Sequence, residues 1–339
     1  MELYNATPFT CMPFKSIDAH GAGHFTLAIR GTFEILDDGT LSLVKDQQEG
    51  DTAIIVADTY YGEPATSSLH WPSDLVYYKP NTDIHIIGAT ARSNNEELLT
   101  SWEVKLVVGK IEASLEVHGP RDWVYEEEKN KWILTDRIAC NTVELRYEYA
   151  SGGTWGDAEE GGFSDLNPIG RGCCDPEKLD QTKPVPAPQI FELGQSLPKL
   201  GETVSPKGFA PLPPAWSQRL QYAGTYDEDW EEDQHPLPPH DFKYDFYNSA
   251  HPDLIYPGYL EGGEHVELTG FQHSGNINFI LPKYNLIVEL IDKRGFGRKE
   301  PAVIDTLQVD LKNMNVYIVW RAFAPYREGF SGINIELLS

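Results

Sequence analysis

Basic residues, cysteine and methionine are the scarce components of this chain. Only 27 Lys and Arg stand against 52 Asp and Glu in 339 residues, a formal charge of −25. A field of that sign repels a phosphate backbone, so nucleic acid is a poor expectation and a basic protein partner a better one. The four cysteines, Cys11, Cys140, Cys173 and Cys174, show no spacing of a zinc or thioredoxin type. The adjacent pair is awkwardly placed for a disulfide of its own. No run approaches about 18 uninterrupted apolar residues, so no membrane span is expected. The opening MELYNATPFTCMPFK has neither a basic stretch nor a continuous apolar core, which predicts no secretory signal and a cytoplasmic protein. Three methionines beside 12% aromatic residues suit strands better than a helical bundle.

What is present reads as strands. GHFTLAIRGTFEIL, the turn DDGT and LSLV form a hairpin pattern from residue 23. TAIIVADTYY, DIHIIGATA, KWILTDRI and NTVELRYEYA continue it. The clearest case is SWEVKLVVGKIEASLEVHG, two alternating runs joined at a glycine. After residue 259, EHVELTGFQHSGNINFILP, YNLIVELIDKRG, TLQVDLKNMNVYIVWRAF and GINIELL resume the pattern, with a turn predicted near Lys312–Asn313. Between them, residues 151–215 are dense in Gly and Pro, which forbids long helices and central strands. Aromatic and aliphatic residues recur through that tract, so it reads as ordered, irregular chain laid across a β core. The predicted class is mainly β: an antiparallel sandwich or barrel-like core, a Gly/Pro-rich crossing segment and few short helices. PAWSQRLQYA and YDEDWEED are the best helical stretches. The expected division is an N-terminal β domain (1–150), the crossing segment (151–215) and a C-terminal β region (216–339).

Catalytic signatures are missing. There is no phosphate-binding glycine loop, nucleophile elbow or HExxH motif. One stretch concentrates candidates: GTYDEDWEEDQHPLPPHDFKYDFYN, residues 224–248. Asp227 and Asp229 beside Trp230 could serve as acid and base in sugar hydrolysis. His235, His240 and His251 with Asp241 and Asp245 could hold a metal. Against both, the prolines at 236, 238, 239 and 252 suit a rigid loop. The pattern favours aromatics anchored inward, with Tyr226, Trp230, Phe242 and Phe246 buried and the acids facing water. Asp241, Asp245, Asn248 and Asp253 then cap turn backbone. Arg171 and Arg219 read as buried organisers, pairing with carboxylates such as Glu63, Asp74 or Glu264. A carbohydrate-active or metal-dependent hydrolase built on residues 224–253 is the alternative to a binding protein.

Five stretches in order, YYGEPATSSLHWPSDLVYYKPNTDIHIIGATA (60–91), NPIGRG (167–172), PKGFAPLPPAWSQRLQYAGTYDEDW (206–230), PLPPHDFKYDFYNSAHPD (236–253) and YLEGGEHVELTGF (259–271), resemble domain-of-unknown-function family 2169. Positions that carry the resemblance include Glu63, Asp74, Lys79, Asp83, Arg171, Arg219, Tyr222, Tyr226, Trp230, Asp241, Phe242, Phe246, Asn248, Asp253 and Glu264. The resemblance implies a role in type VI secretion, as an adaptor or chaperone that loads an effector onto the spike. The partners implied are the secreted effector, a PAAR-like spike-tip protein and the trimeric spike. It implies no catalytic residues and no cofactor.

Overall fold

The computed structural model describes residues 2–45, 53–93, 97–156, 161–271, 276–326 and 330–338. Its largest sheet has seven strands. In spatial order they are Thr10–Ile17, Gly23–Ile35, Asn315–Pro325, Val303–Asp310, Thr82–Ile87 and Ile255–Tyr256, with Leu41–Leu43 also paired to Gly23–Ile35. A five-stranded sheet runs Ile190–Glu192, Ile111–His118, Ser101–Val108, His265–Thr269, Ile277–Ile280. A four-stranded sheet runs Glu2–Asn5, Phe330–Leu338, Asn285–Asp292, Gly297–Pro301. The chain is mainly β with few short helical turns. Strands from residues 1–150 and from 216–339 share all three sheets, and Ile190–Glu192 from the tract between them joins the five-stranded one.

Two features depart from an antiparallel barrel-like core. Thr82–Ile87 pairs parallel with Val303–Asp310, and Glu2–Asn5 parallel with Phe330–Leu338. The seven- and four-stranded sheets are therefore mixed while the five-stranded one is antiparallel throughout, and the described strands form open sheets without closure. Two further expectations shrink. In TAIIVADTYY only Thr59–Tyr60 is a strand, and residue 52 lies outside the described residues. NTVELRYEYA is a strand only over Thr142–Glu144, then turns through Tyr147–Tyr149.

Alternation explains the core. Phe25, Leu27, Ile29 and Phe33 point to one side of the large sheet, with Ile84, Ile86, Leu307, Val309, Val316, Ile318 and Trp320. The same core takes Val104, Leu106, Leu115, Val266 and Leu268 from the five-stranded sheet, and Val288, Leu290 and Ile335 from the four-stranded one. Gly31 breaks the run for a steric reason. A Cβ there would stand 2.9 Å from both the Phe9 and Trp320 rings, which stack with centroids 5.0 Å apart. The Gly/Pro-rich tract is held by short pairings: Ser151–Gly152 with Arg171–Gly172, Val185–Pro186 with Asp122–Trp123, and Ile190–Glu192 with Leu115–Val117. Asn167 stitches it to the core by donating to the carbonyls of Tyr147 and Ser151, both at 2.9 Å.

Candidate functional site

The other face of the large sheet is polar and is also buried. Thr26, Arg30, Thr32, Arg321, Thr306, Gln308, Asp83 and His85 alternate with the apolar core residues, and each is at most 5% exposed. Segments around 55–80 and 206–256 cover them. The junction is thus a polar seam between sheet and covering chain.

Asp83 is its centre and is fully buried. One carboxylate oxygen accepts from Asn248 Nδ2 (2.8 Å) and the Ala250 amide (3.3 Å). The other accepts from Lys79 Nζ (2.8 Å), the Ser249 amide (2.9 Å) and the Ser249 hydroxyl (3.2 Å). Lys79 also donates to Thr306 Oγ1 at 2.8 Å, and Ser249 Oγ lies 3.2 Å from His85 Nε2. Burial alone would raise the Asp83 carboxyl, but Lys79 beside it, with His85 and the Ser249 amide, brings it down to about 2. Burial pushes His85 down to about 4 against the pull of Asp83, so the imidazole is neutral near neutral pH. Asp83, Ser249 and His85 form a chain of polar groups, yet all three are sealed beneath the cover.

Two further clamps sit along the seam. Asp74 takes Arg30 Nη1 with both oxygens (3.2 and 3.1 Å) and the Ile55 amide at 2.9 Å. Arg321 pairs with Asp305 and donates to the carbonyls of Asp74 and Val76. Sequence reasoning singled out Asp74 but missed Arg30, Arg321 and His85, which occupy the polar half of alternating strands, and Asp305, whose place beside Arg321 follows a register shift between Ile304 and Thr306.

Arg219 and Arg171 are organisers, but their partners are not carboxylates. Arg219, 7% exposed, donates to the carbonyls of Phe246 (3.0 Å) and Leu212 (2.9 Å) and lies over the Phe246 ring. Arg171 bonds Gln189 at 3.0 Å and stacks on Tyr149. In this irregular chain, unpaired loop carbonyls compete successfully for the guanidinium. Glu63 is exposed, and its carbonyl receives the Ser67 hydroxyl. Glu264 Oε1 closes a local turn by accepting the Glu261 amide at 2.8 Å.

The 224–248 stretch is a loop whose aromatics sit higher than expected. Tyr226 is 57% exposed, and Trp230, Phe242 and Phe246 are half-buried rather than buried. They pack on one another and on a ring cluster from the sheet and its cover: Tyr226 on Trp230, Phe242 on Tyr247, Tyr247 on Tyr77. A loop crossing a polar sheet face can sink its rings only into neighbouring rings. Asp241 pins the loop by accepting the Thr225 amide (2.9 Å) and hydroxyl (2.8 Å), which holds its carboxyl below the usual range. Tyr222 is half-buried, and its carbonyl takes the Lys243 amide. Gln234 anchors the far end to the carbonyls of Ala19 (2.6 Å) and Pro238 (2.7 Å).

The residues of the two enzymatic alternatives have local partners. Asp227 spends an oxygen capping the Trp230 amide at 3.0 Å, and both Asp227 and Asp229 are exposed. His251 is buried between the Pro206 carbonyl and the Asp253 amide, while His235 lies against Trp230 and His240 near His20. Asp253 pairs with Lys207 at 2.7 Å. Among the described residues no three His, Cys, Asp or Glu converge as a metal would require.

The family described as an uncharacterized protein conserved in bacteria (DUF2169) matches residues 20–321. The chain belongs to that family. The match runs from the turn before Gly23–Ile35 to Arg321, so in this DUF2169 protein it takes in the polar seam with its covering segments. No match was found among curated proteins or among solved structures.

Proposed function

We propose that this DUF2169 protein is a non-enzymatic adaptor or chaperone. It binds a type VI secretion effector, a PAAR-like spike-tip protein or both, and promotes their loading onto the trimeric spike. The observation that carries the reading is the acidic turn from Asp227 to Asp233. Its carboxylates are exposed beside the exposed Tyr226 ring, on a loop tied down at Asp241 and Gln234. Six acids held in a fixed arrangement form a preorganised surface for a cationic partner, and their field steers its approach. Asp83 and His85, whose proton affinities are displaced, are covered rather than open to a cleft, which favours a scaffold over a reaction centre.

The test is co-purification with any effector and spike-tip proteins encoded beside it. The expected result is a stoichiometric complex whose association slows with added salt, and which is lost when Asp227, Asp229, Glu231 and Glu232 are changed to Lys. Recovery of neither partner, with each shown to be folded, would reject the adaptor reading. A complex indifferent to the four changes would reject the acidic turn as its surface.

A further inference from the structure

One hairpin reverses the sign of the molecule. Four of the chain's 27 basic residues, Lys293, Arg294, Arg298 and Lys299, cluster on the hairpin of Asn285–Asp292 and Gly297–Pro301, and all four are exposed. Phe296 at the tip is 70% exposed, with the Arg294 guanidinium 5.6 Å from its ring centre. Asp292 pairs with Arg294 at 3.1 Å and Glu300 with Arg298. No ion pair reaches Lys293 or Lys299 among the described residues.

Gly297–Pro301 is also the terminal strand of its sheet. The Asp292 amide donates to Phe296 O, and the Ala302 amide to Leu286 O, both at 2.9 Å. Those two bonds set the phase of the ladder: even-numbered residues face the neighbouring strand, while Gly297, Lys299 and Pro301 turn their backbone groups outward. Pro301, which has no N–H, falls on the open side, where no ladder bond is lost. The open side therefore offers N–H and C=O groups at strand spacing, flanked by unpaired cations and an exposed ring.

We propose that this edge receives an extended acidic segment of a partner protein as an added strand, with an apolar side chain against Phe296. The outward ladder demands a backbone complement and not a compact ligand. The cations set its sign. A second copy of this chain is a poor occupant, because its own acidic run is wound into the turn Trp230–Gln234 and presents no strand. The inference deepens the adaptor reading, on which the identity of the partner rests. It adds a second contact, opposite in charge to the acidic turn.

The competing role for the same residues is protection, in which charges keep other strands off an exposed edge. Titrating the isotope-labelled full chain with capped peptides of alternating Glu–Val and Lys–Val separates the two. The expected result is saturable binding of the Glu–Val peptide alone, with shifts and slowed exchange at the Gly297 and Lys299 amides. Joint Arg298→Glu and Lys299→Glu substitution should weaken it by about tenfold or more. Equal response to both peptides, or shifts confined to other surfaces, would overturn the proposal. So would no binding at about millimolar peptide, and self-association of an Arg298→Ala, Lys299→Ala variant would then assign the cations to protection. Because peptides replace the effector, failure here is distinct from failure of co-purification.

Discussion

Replacing Asp83 by Ala is the sharpest probe of the polar seam. The change removes the acceptor for five donors, from Lys79, Asn248, Ser249 twice and Ala250, at a site with no exposed surface. Lys79, 3% exposed, keeps among the described residues only the Thr306 hydroxyl at 2.8 Å. Breaking a buried pair by removing one partner costs about 3–5 kcal/mol, and donors left without water add about 1–3 kcal/mol each. Admission of water to the seam offsets part of the second contribution, so about 4 kcal/mol or more is expected. For a chain of this size that lowers the unfolding temperature by roughly 6 °C. Urea unfolding gives the loss directly, and amide exchange at Ser249 and Ala250 should accelerate in the same variant. Replacing both partners, Lys79→Met with Asp83→Leu, should cost less than the sum of the single changes by about 2 kcal/mol. A loss below about 1 kcal/mol, or strict additivity, would mean that the pair is solvated and that the seam is not what holds the cover. The acid limb follows in sign. With its folded value lowered to about 2, Asp83 stabilises fully above its unfolded value near 3.9, and that contribution fades as pH falls toward 2.

Two other groups give further readouts. His85 is held at about 4, below its ordinary 6.5, by burial. Unfolded chains therefore take up a proton in that window that the folded protein refuses, and stability should fall as pH drops from 6.5 to 4. Asp83, Lys79, Gln308 and Arg219 act on this imidazole, so His85→Gln should flatten the slope, and by removing one of the groups that lower Asp83 it should move the Asp83 limb to higher pH. An unchanged slope in urea titrations across that range would refute the assignment. Arg219→Ala leaves the Phe246 and Leu212 carbonyls without their donor and should cost about 2–4 kcal/mol. It should also speed proteolysis within 212–247, whereas a surface arginine would change neither.

The local chemistry of this fold was legible where strands meet their sequence neighbours. SWEVKLVVG and KIEASLEVHG pair as read, turning at Gly109 with φ 54°. The pairing of Val303–Asp310 with Asn315–Pro325 turns where Lys312–Asn313 predicted. The turn sequences and the period of two specify these pairs without outside help. The parallel pairing of Thr82–Ile87 with Val303–Asp310 has no such signal, because it joins segments more than two hundred residues apart.

That long-range pairing is also what hid the candidate site. Alternation in HFTLAIRGTF, TDIHII and TLQVD separates an apolar from a polar face, and a polar face is ordinarily taken to meet water. Here the polar sides of Arg30, Asp83, Thr306 and Arg321 come together only once these strands share one sheet, and the chain then lays Asp74, Lys79, Arg219 and Asn248 over them. The stretches that carry the family resemblance are widely separated along the sequence, but Asp74, Lys79, Asp83 and Asn248 lie along this one seam. A cover fixed by ions and directed hydrogen bonds has one register, since a slip by one residue leaves charges buried without partners. An apolar cover could slide at far lower cost. The seam thereby explains how an irregular, proline-rich loop can present its acidic turn in a fixed place, which a docking surface needs and a solubilising one does not.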